Sequence, residues 1–205
     1  MTDVNHMTLE QLEEAVHSCT LCSLHTGRTQ AVPGEGPPNA DIMFIGEGPG
    51  FHEDRQGRPF VGAAGKFLEE LLASIGMTRE QVYIANVIKC RPPGNRDPLP
   101  NELSACEPYL ERQIQLIKPK VIVTLGRFSM YRYFPGASIS KIHGQPKRVG
   151  STLVVPMFHP AAALHQPTWR PLVEADVKKL PGFSAEAARL GDEKPPPQAQ
   201  QLSLF

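Results

Sequence analysis

DIMFIGEGPG, residues 41–50, is an apolar run that breaks abruptly into glycine. A short apolar segment bounded by glycine reads as a buried strand followed by a tight turn. Three further runs repeat the theme: VYIANVI at 82–88, VIVTLG at 121–126 and TLVVPMF at 152–158. Helical patterns lie between and around them. Leu9, Leu12 and Val16 keep helical spacing behind a Thr8/Gln11 capping box. Residues 66–75 are amphipathic and stop at Gly76, a favoured C-terminal cap. Residues 101–117 give another helix, in which Pro108 predicts a kink. A short helix follows Gly126, and a last one spans 171–180. Short apolar strands alternating with helices imply an α/β fold, a three-layer sandwich with a mainly parallel four-stranded central sheet. In such sheets the site lies beyond the carboxyl ends of the strands. That rule gathers Glu47, Asn86, Lys89, Gly126 and His159, which are far apart in the chain, at one rim.

The chain has 205 residues, enough for one domain with a tail, and 21 basic residues balance 21 acidic ones. Neutrality argues against a strongly basic nucleic-acid binder, but the charge is uneven. Residues 89–148 hold eleven Lys or Arg against four Asp or Glu, so the middle of the chain can meet phosphates. No apolar run is long enough to span a bilayer, so no membrane partner is expected.

The four cysteines are Cys19, Cys22, Cys90 and Cys106: C-x2-C, a gap of 67 residues, then C-x15-C. Residues 1–8 show no apolar signal segment, which places the chain in a reducing cytoplasm where structural disulfides are rare. Two close pairs then read as four thiolate ligands on one site, and sulfur tetrads suit zinc or an iron–sulfur cluster.

Taken singly, the other motifs are weak. Phe60 reads as a core aromatic, Asn86 as a turn residue, His159 as a structural histidine and Glu47 as a surface or capping carboxylate. GEGPG lacks the lysine arrangement of a phosphate-binding P-loop. Together and in order they are specific. The cysteine spacing, GEGPG followed by Glu53 and Asp54, GRPFVG at 57–62, ANVIKCRPP at 85–93, VTLG at 123–126 and FHPA at 158–161 resemble the iron–sulfur uracil-DNA glycosylases, family 4 of the uracil-DNA glycosylase superfamily. The resemblance covers residues 8–182.

It implies a uracil-DNA glycosylase-like fold and one structural 4Fe–4S cluster held by Cys19, Cys22, Cys90 and Cys106, with zinc as the alternative. It implies a monofunctional glycosylase that hydrolyses the N-glycosidic bond of uracil in single- or double-stranded DNA and starts base excision repair. In that reading Phe60 stacks on the flipped base, and Asn86 bonds its edge. His159 donates to uracil O2 as charge develops there, and Glu47 faces the sugar. Gly46, Gly48 and Gly50 give the backbone close approach. Better-known uracil glycosylases carry an Asp where this chain has Gly48, which leaves Glu53 and Asp54 as rivals to Glu47. Ser140, Lys141 and His143 approach phosphates, and Leu164 is the wedge that fills the vacated stack. Some cluster-bearing relatives have an Arg-rich insertion with a DNA-linking histidine. None lies between Asn86 and Cys106, so hydrolytic turnover is expected. The alternative is a non-catalytic, metal-stapled nucleic-acid binding module.

Residues 1–183 are expected to form one monomeric glycosylase domain, and 184–205 a disordered Pro-rich tail. The tail ends in QLSLF. This resembles the peptide by which bacterial repair and replication proteins bind the sliding clamp, with polar contacts from Gln201 and apolar ones from Leu202, Leu204 and Phe205.

Overall fold

The computed structural model describes residues 4–192. Helix α1, Leu9–His17, opens on the Thr8 capping box, in which Thr8 and Gln11 bond each other's backbone amides. Strand β1, Ile42–Gly46, leads through the glycine turn into a short α2, Phe51–Gln56, and then α3, Ala63–Ala73. Strand β2, Tyr83–Asn86, is followed by α4, Pro100–Ile117, in which Pro108 sits without ending the helix. Next come β3, Val121–Leu125; α5, Arg127–Tyr131; α6, Ile139–Ile142; β4, Lys147–Val149; and β5, Thr152–Met157. Three helices close the described chain: α7, Pro160–His165; α8, Arg170–Val177; and α9, Leu180–Asp192.

The sheet order is β2-β1-β3-β5-β4, with the first four strands parallel and β4 antiparallel at the edge. Alternate side chains of each strand serve opposite faces. Ile42 and Phe44 pack with Phe67, Leu71, Val173 and Leu180 from α3, α8 and α9. Met43 and Ile45 pack with Leu110, Ile117 and Phe128 from α4 and α5. Both faces are covered, which is why these strands read as continuous apolar runs. Starting from β1, the chain adds β2 on one side and β3 on the other. The resulting switch point leaves a crevice at the carboxyl ends of the strands.

Two expectations need correction. The sheet has five strands, not four. The extra strand is three residues long and fully exposed, and two of those residues are Lys147 and Arg148, so no apolar run announces it. Its charges protect the sheet edge from further pairing. The second correction concerns the end of the domain. The single helix expected at 171–180 is two, and α9 runs beyond the boundary placed at 184, burying Ala187 against the sheet. FSAEAARL is good helix-forming sequence, and the Pro-rich stretch beyond it had dominated the compositional reading. QLSLF, with Gln201, Leu202, Leu204 and Phe205, lies outside the described residues. Among the described residues, no helix is long and apolar enough to cross a membrane.

Candidate functional site

The crevice holds a cavity of about 300 Å³ lined by Glu47, Gly48, Phe60, Asn86 and His159, all anticipated from sequence, together with Glu53, Ile88, Pro92, Asn95 and Arg96. Its base is fixed by strand register. Gly46 of β1 pairs directly with Asn86 of β2. A Cβ on Gly46 would stand 2.4 Å from Asn86 Oδ1 and 2.8 Å from the Phe60 ring, so only glycine lets these two side chains meet behind the turn. At Gly48 the space belongs to Ile88, whose side chain a Cβ would meet at 2.7 Å.

Phe60 is buried with a left-handed backbone, φ 52°, which is costly for a bulky residue and persists only when its surroundings impose it. Three contacts do so. Arg79 donates to the Phe60 carbonyl at 2.8 Å and to the Pro59 carbonyl. Gly65 lets α3 close onto the same carbonyl, because a Cβ there would lie 1.8 Å from it. Glu53 accepts from the backbone amides of Val61 and Gly62, both at 2.9 Å, and of Gly50 at 3.1 Å, tying the glycine turn to the Phe60 loop. Asp54 is buried and accepts from the Thr29 amide at 2.9 Å. Both carboxylates that rival Glu47 are therefore occupied in holding the backbone.

Asn86 is 2 % exposed, and among the described residues its Oδ1 has no hydrogen-bond partner. A buried acceptor left unmade costs about 1–3 kcal/mol, so this one is aimed at something the folded chain does not supply. Its backbone carbonyl, by contrast, accepts from the Lys89 ammonium at 2.9 Å. Lys89 is itself fully buried and also donates to Gln113 Oε1 at 2.7 Å. The Gln113 amide is held by Pro33 O and Tyr83 Oη. Burial pushes the Lys89 ammonium down to about 8. Sequence reading placed Lys89 at the rim. In the structure it lies under it, and the sign available was a lysine inside the apolar run VIKC.

His159 caps α7 and faces the Phe60 ring, with centroids 5.5 Å apart and planes at 27°. Its Nδ1 accepts from the Ala161 amide at 3.1 Å, so the proton of the neutral ring sits on Nε2. Dense packing lowers its pKa to about 4, with Glu53 opposing weakly. The ring is thus a neutral donor near pH 7. Glu47 is partly buried, and its pKa is raised by that burial and by the charge of Asp97, against the pull of Arg127. Arg127 is paired with Asp97. Arg96 makes a two-pronged pair with the buried Glu102 at 2.9 and 2.6 Å, which fixes the loop before α4. No motif in the sequence pointed to Asn95 and Arg96, which lie in this Pro-rich loop.

The remaining candidates stand outside the cavity. Ser140 and Lys141 lie on the exposed α6, and Ser140 is paired with Ser138. His143 follows at the C-cap, its Nδ1 2.6 Å from buried Asp176. Leu164 is 42 % exposed on α7, the helix that His159 starts.

The four cysteines come together on the far side of β2. Cys90 and Cys106 are buried in a small core with Leu12, Val16 and Tyr109, and Cys19 and Cys22 pack against it. None is in a disulfide. Arg28 donates to Cys90 Sγ at 3.1 Å and to the Cys19 and His17 carbonyls, while the Lys89 amide donates to Cys106 Sγ at 3.4 Å. Burial pushes the Cys106 thiol up to about 12 and raises Cys22 and Cys90, so ionising this set needs a bound cation. Among the described residues no three His, Cys, Asp or Glu gather closely enough for a single ion. A sulfur tetrad with N–H donors on its sulfurs fits a cluster, in which each thiolate binds its own iron.

Comparison with known proteins follows the same lines. The family model described as the uracil DNA glycosylase superfamily matches residues 33–179. The chain is 51 % identical over 183 residues to a type-4 uracil-DNA glycosylase of Sulfurisphaera tokodaii, covering 84 % of this chain and 83 % of the relative. It is 47 % identical to one of Archaeoglobus fulgidus, covering 84 % and 92 %, and 46 % identical to one of Thermotoga maritima, covering 85 % and 94 %.

The His159 geometry makes a direct prediction. With a folded pKa near 4 against an unfolded value of 6.5, its NMR resonances stay constant between pH 8 and about 5.5. The unfolded chain binds the proton first. The stability that His159 contributes is therefore complete above about pH 6.5 and is lost as the pH falls towards 4. A titration near 6.5 in the folded protein would contradict the assigned ring state.

Proposed function

The chain belongs to the uracil DNA glycosylase superfamily, and within it to the type-4 uracil-DNA glycosylases; on that premise we propose that the cavity takes a uracil flipped out of DNA and hydrolyses its N-glycosidic bond. The observation that carries this reading is the unsatisfied Oδ1 of buried Asn86 in the same cavity as a neutral Nε2–H donor on His159. Uracil offers a complementary edge. Its N3–H meets the Asn86 acceptor, and its O4 meets the amide donors of the same side chain. Cytosine presents the reverse pattern and leaves both groups mismatched.

Bond cleavage leaves positive charge on the sugar and negative charge on uracil O2. His159 donates to that oxygen from a ring already fixed by the Ala161 amide and the Phe60 face, so little reorganisation is needed as charge develops. Phe60 supplies the face against which the base lies. Glu47, as a carboxylate, stands towards the sugar, where it stabilises C1′ and orients water. Water adds hydroxide to C1′ and its proton goes to the leaving base, giving free uracil and an abasic site. Because the Glu47 pKa is raised, its useful ionised form is lost at a higher pH than for an ordinary Glu. In the same reading Ser140, Lys141 and His143 contact phosphates, and Leu164, exposed on α7, fills the gap in the stack. His159→Ala is expected to lower the rate of uracil release about 10²–10³-fold, and Asn86→Ala to lower kcat/KM about tenfold or more. Full activity in both variants would mean the pocket is wrongly assigned. No uracil release by the wild type would favour a binding module.

We propose in addition that Cys19, Cys22, Cys90 and Cys106 hold a 4Fe–4S cluster that cross-links α1, the end of β2 and α4. When bound it supplies a structural staple rather than reaction chemistry. Purified protein should contain iron and absorb visible light, and Cys106→Ser should lose both along with thermal stability. Zinc in place of iron would overturn this assignment.

QLSLF, residues 201–205, is proposed as a sliding-clamp ligand on the strength of its sequence. Deleting residues 201–205 should leave uracil release from short oligonucleotides unchanged and abolish clamp binding. Equal clamp affinity with and without them would refute it.

A further inference from the structure

Phe51 is an unusual residue at an unusual place. It is the first residue of α2 and is 47 % exposed, though an aromatic ring gains by burial. The Arg91 guanidinium lies 5.2 Å from its ring centroid and that of Arg55 lies 5.6 Å away. The His52 ring meets it edge-on at 5.4 Å and 83°. The cluster adjoins the cavity on two sides. Gly50, the residue before Phe51, lines it, and Arg91 is held by Asn95, another lining residue, at 2.7 Å. An exposed ring between cations at the rim of a nucleic-acid pocket combines the two elements of single-strand binding: a stacking face that tolerates any base and positive charge for its phosphate.

We propose that Phe51, with Arg55 and Arg91, is a stacking subsite for the base adjacent to the target on the same strand. The inference rests on reading the cavity as a uracil pocket. Flipping a nucleotide pulls its neighbours out of regular stacking, so a neighbour that finds a new π-face offsets part of that cost. The guanidiniums lie over the ring, so an incoming base displaces one of them from the ring face and the displaced guanidinium turns to its phosphate.

The test is a cycle between protein and substrate, using single-stranded oligonucleotides with one uracil and an abasic spacer replacing the base on either side. For the wild type, the spacer on the contacted side should raise KM about tenfold, in the range for one base on an aromatic ring, with kcat unchanged. Phe51→Ala should raise KM similarly on the intact strand and show no further penalty with the spacer. Phe51→Trp should behave as wild type. Equal spacer penalties in wild type and Phe51→Ala would overturn the subsite while leaving the uracil pocket intact. Absence of uracil release by the wild type would overturn the pocket and the subsite with it.

Discussion

A lysine ammonium buried beneath the cavity holds the carboxyl end of the sheet together. Removing such a charge from water costs several kcal/mol, and among the described residues no carboxylate bonds it. Lys89 instead donates to the Asn86 carbonyl at the end of β2 and to Gln113 on α4, and Gln113 reaches on to Pro33 and Tyr83. One side chain thus joins the strand that carries Asn86, the helix that carries Cys106 and the segment leading into β1. Its own amide touches Cys106 Sγ, and the next residue is Cys90. Asn86 and the cysteine centre therefore share a scaffold without sharing a site.

Above that scaffold the cavity gathers polar groups whose states are set by their packing. His159 is kept uncharged by packing, with its tautomer set by the Ala161 amide. Asn86 presents an acceptor with no internal partner. Glu53, which also lines the cavity, accepts from three backbone amides and ties the glycine turn to the Phe60 loop. Glu47 lines the same cavity with its pKa raised by burial.

The legible part of the fold was the part buried on both faces. β1, β2, β3 and β5 announce themselves as apolar runs, and α1 by its capping box, because local chemistry and tertiary demand agree there. Strand β4 and helix α9 were misread for the opposite reason. An exposed three-residue edge strand has no apolar signature, and the start of α9 shares its surroundings with a Pro-rich segment. Among the site residues, Glu47, Phe60, Asn86 and His159 could be named from motifs and converge as expected. Asn95 and Arg96 could not, since their places depend on Arg91 and on a buried glutamate in the next helix.

The sequence by itself determined the alternation of strand and helix, the rim at which the motifs meet and the family to which they belong, because these follow from periodicity and from residue types at fixed spacing. Tertiary structure alone decided how the side chains at that rim are held. It assigned Glu53 and Asp54 to the backbone and left Glu47 free, set the protonation of His159, forced Phe60 into a left-handed conformation and placed Lys89 under Asn86. Each of these depends on groups that meet only after the chain has folded, and on a burial that changes what a charge or an unpaired oxygen costs.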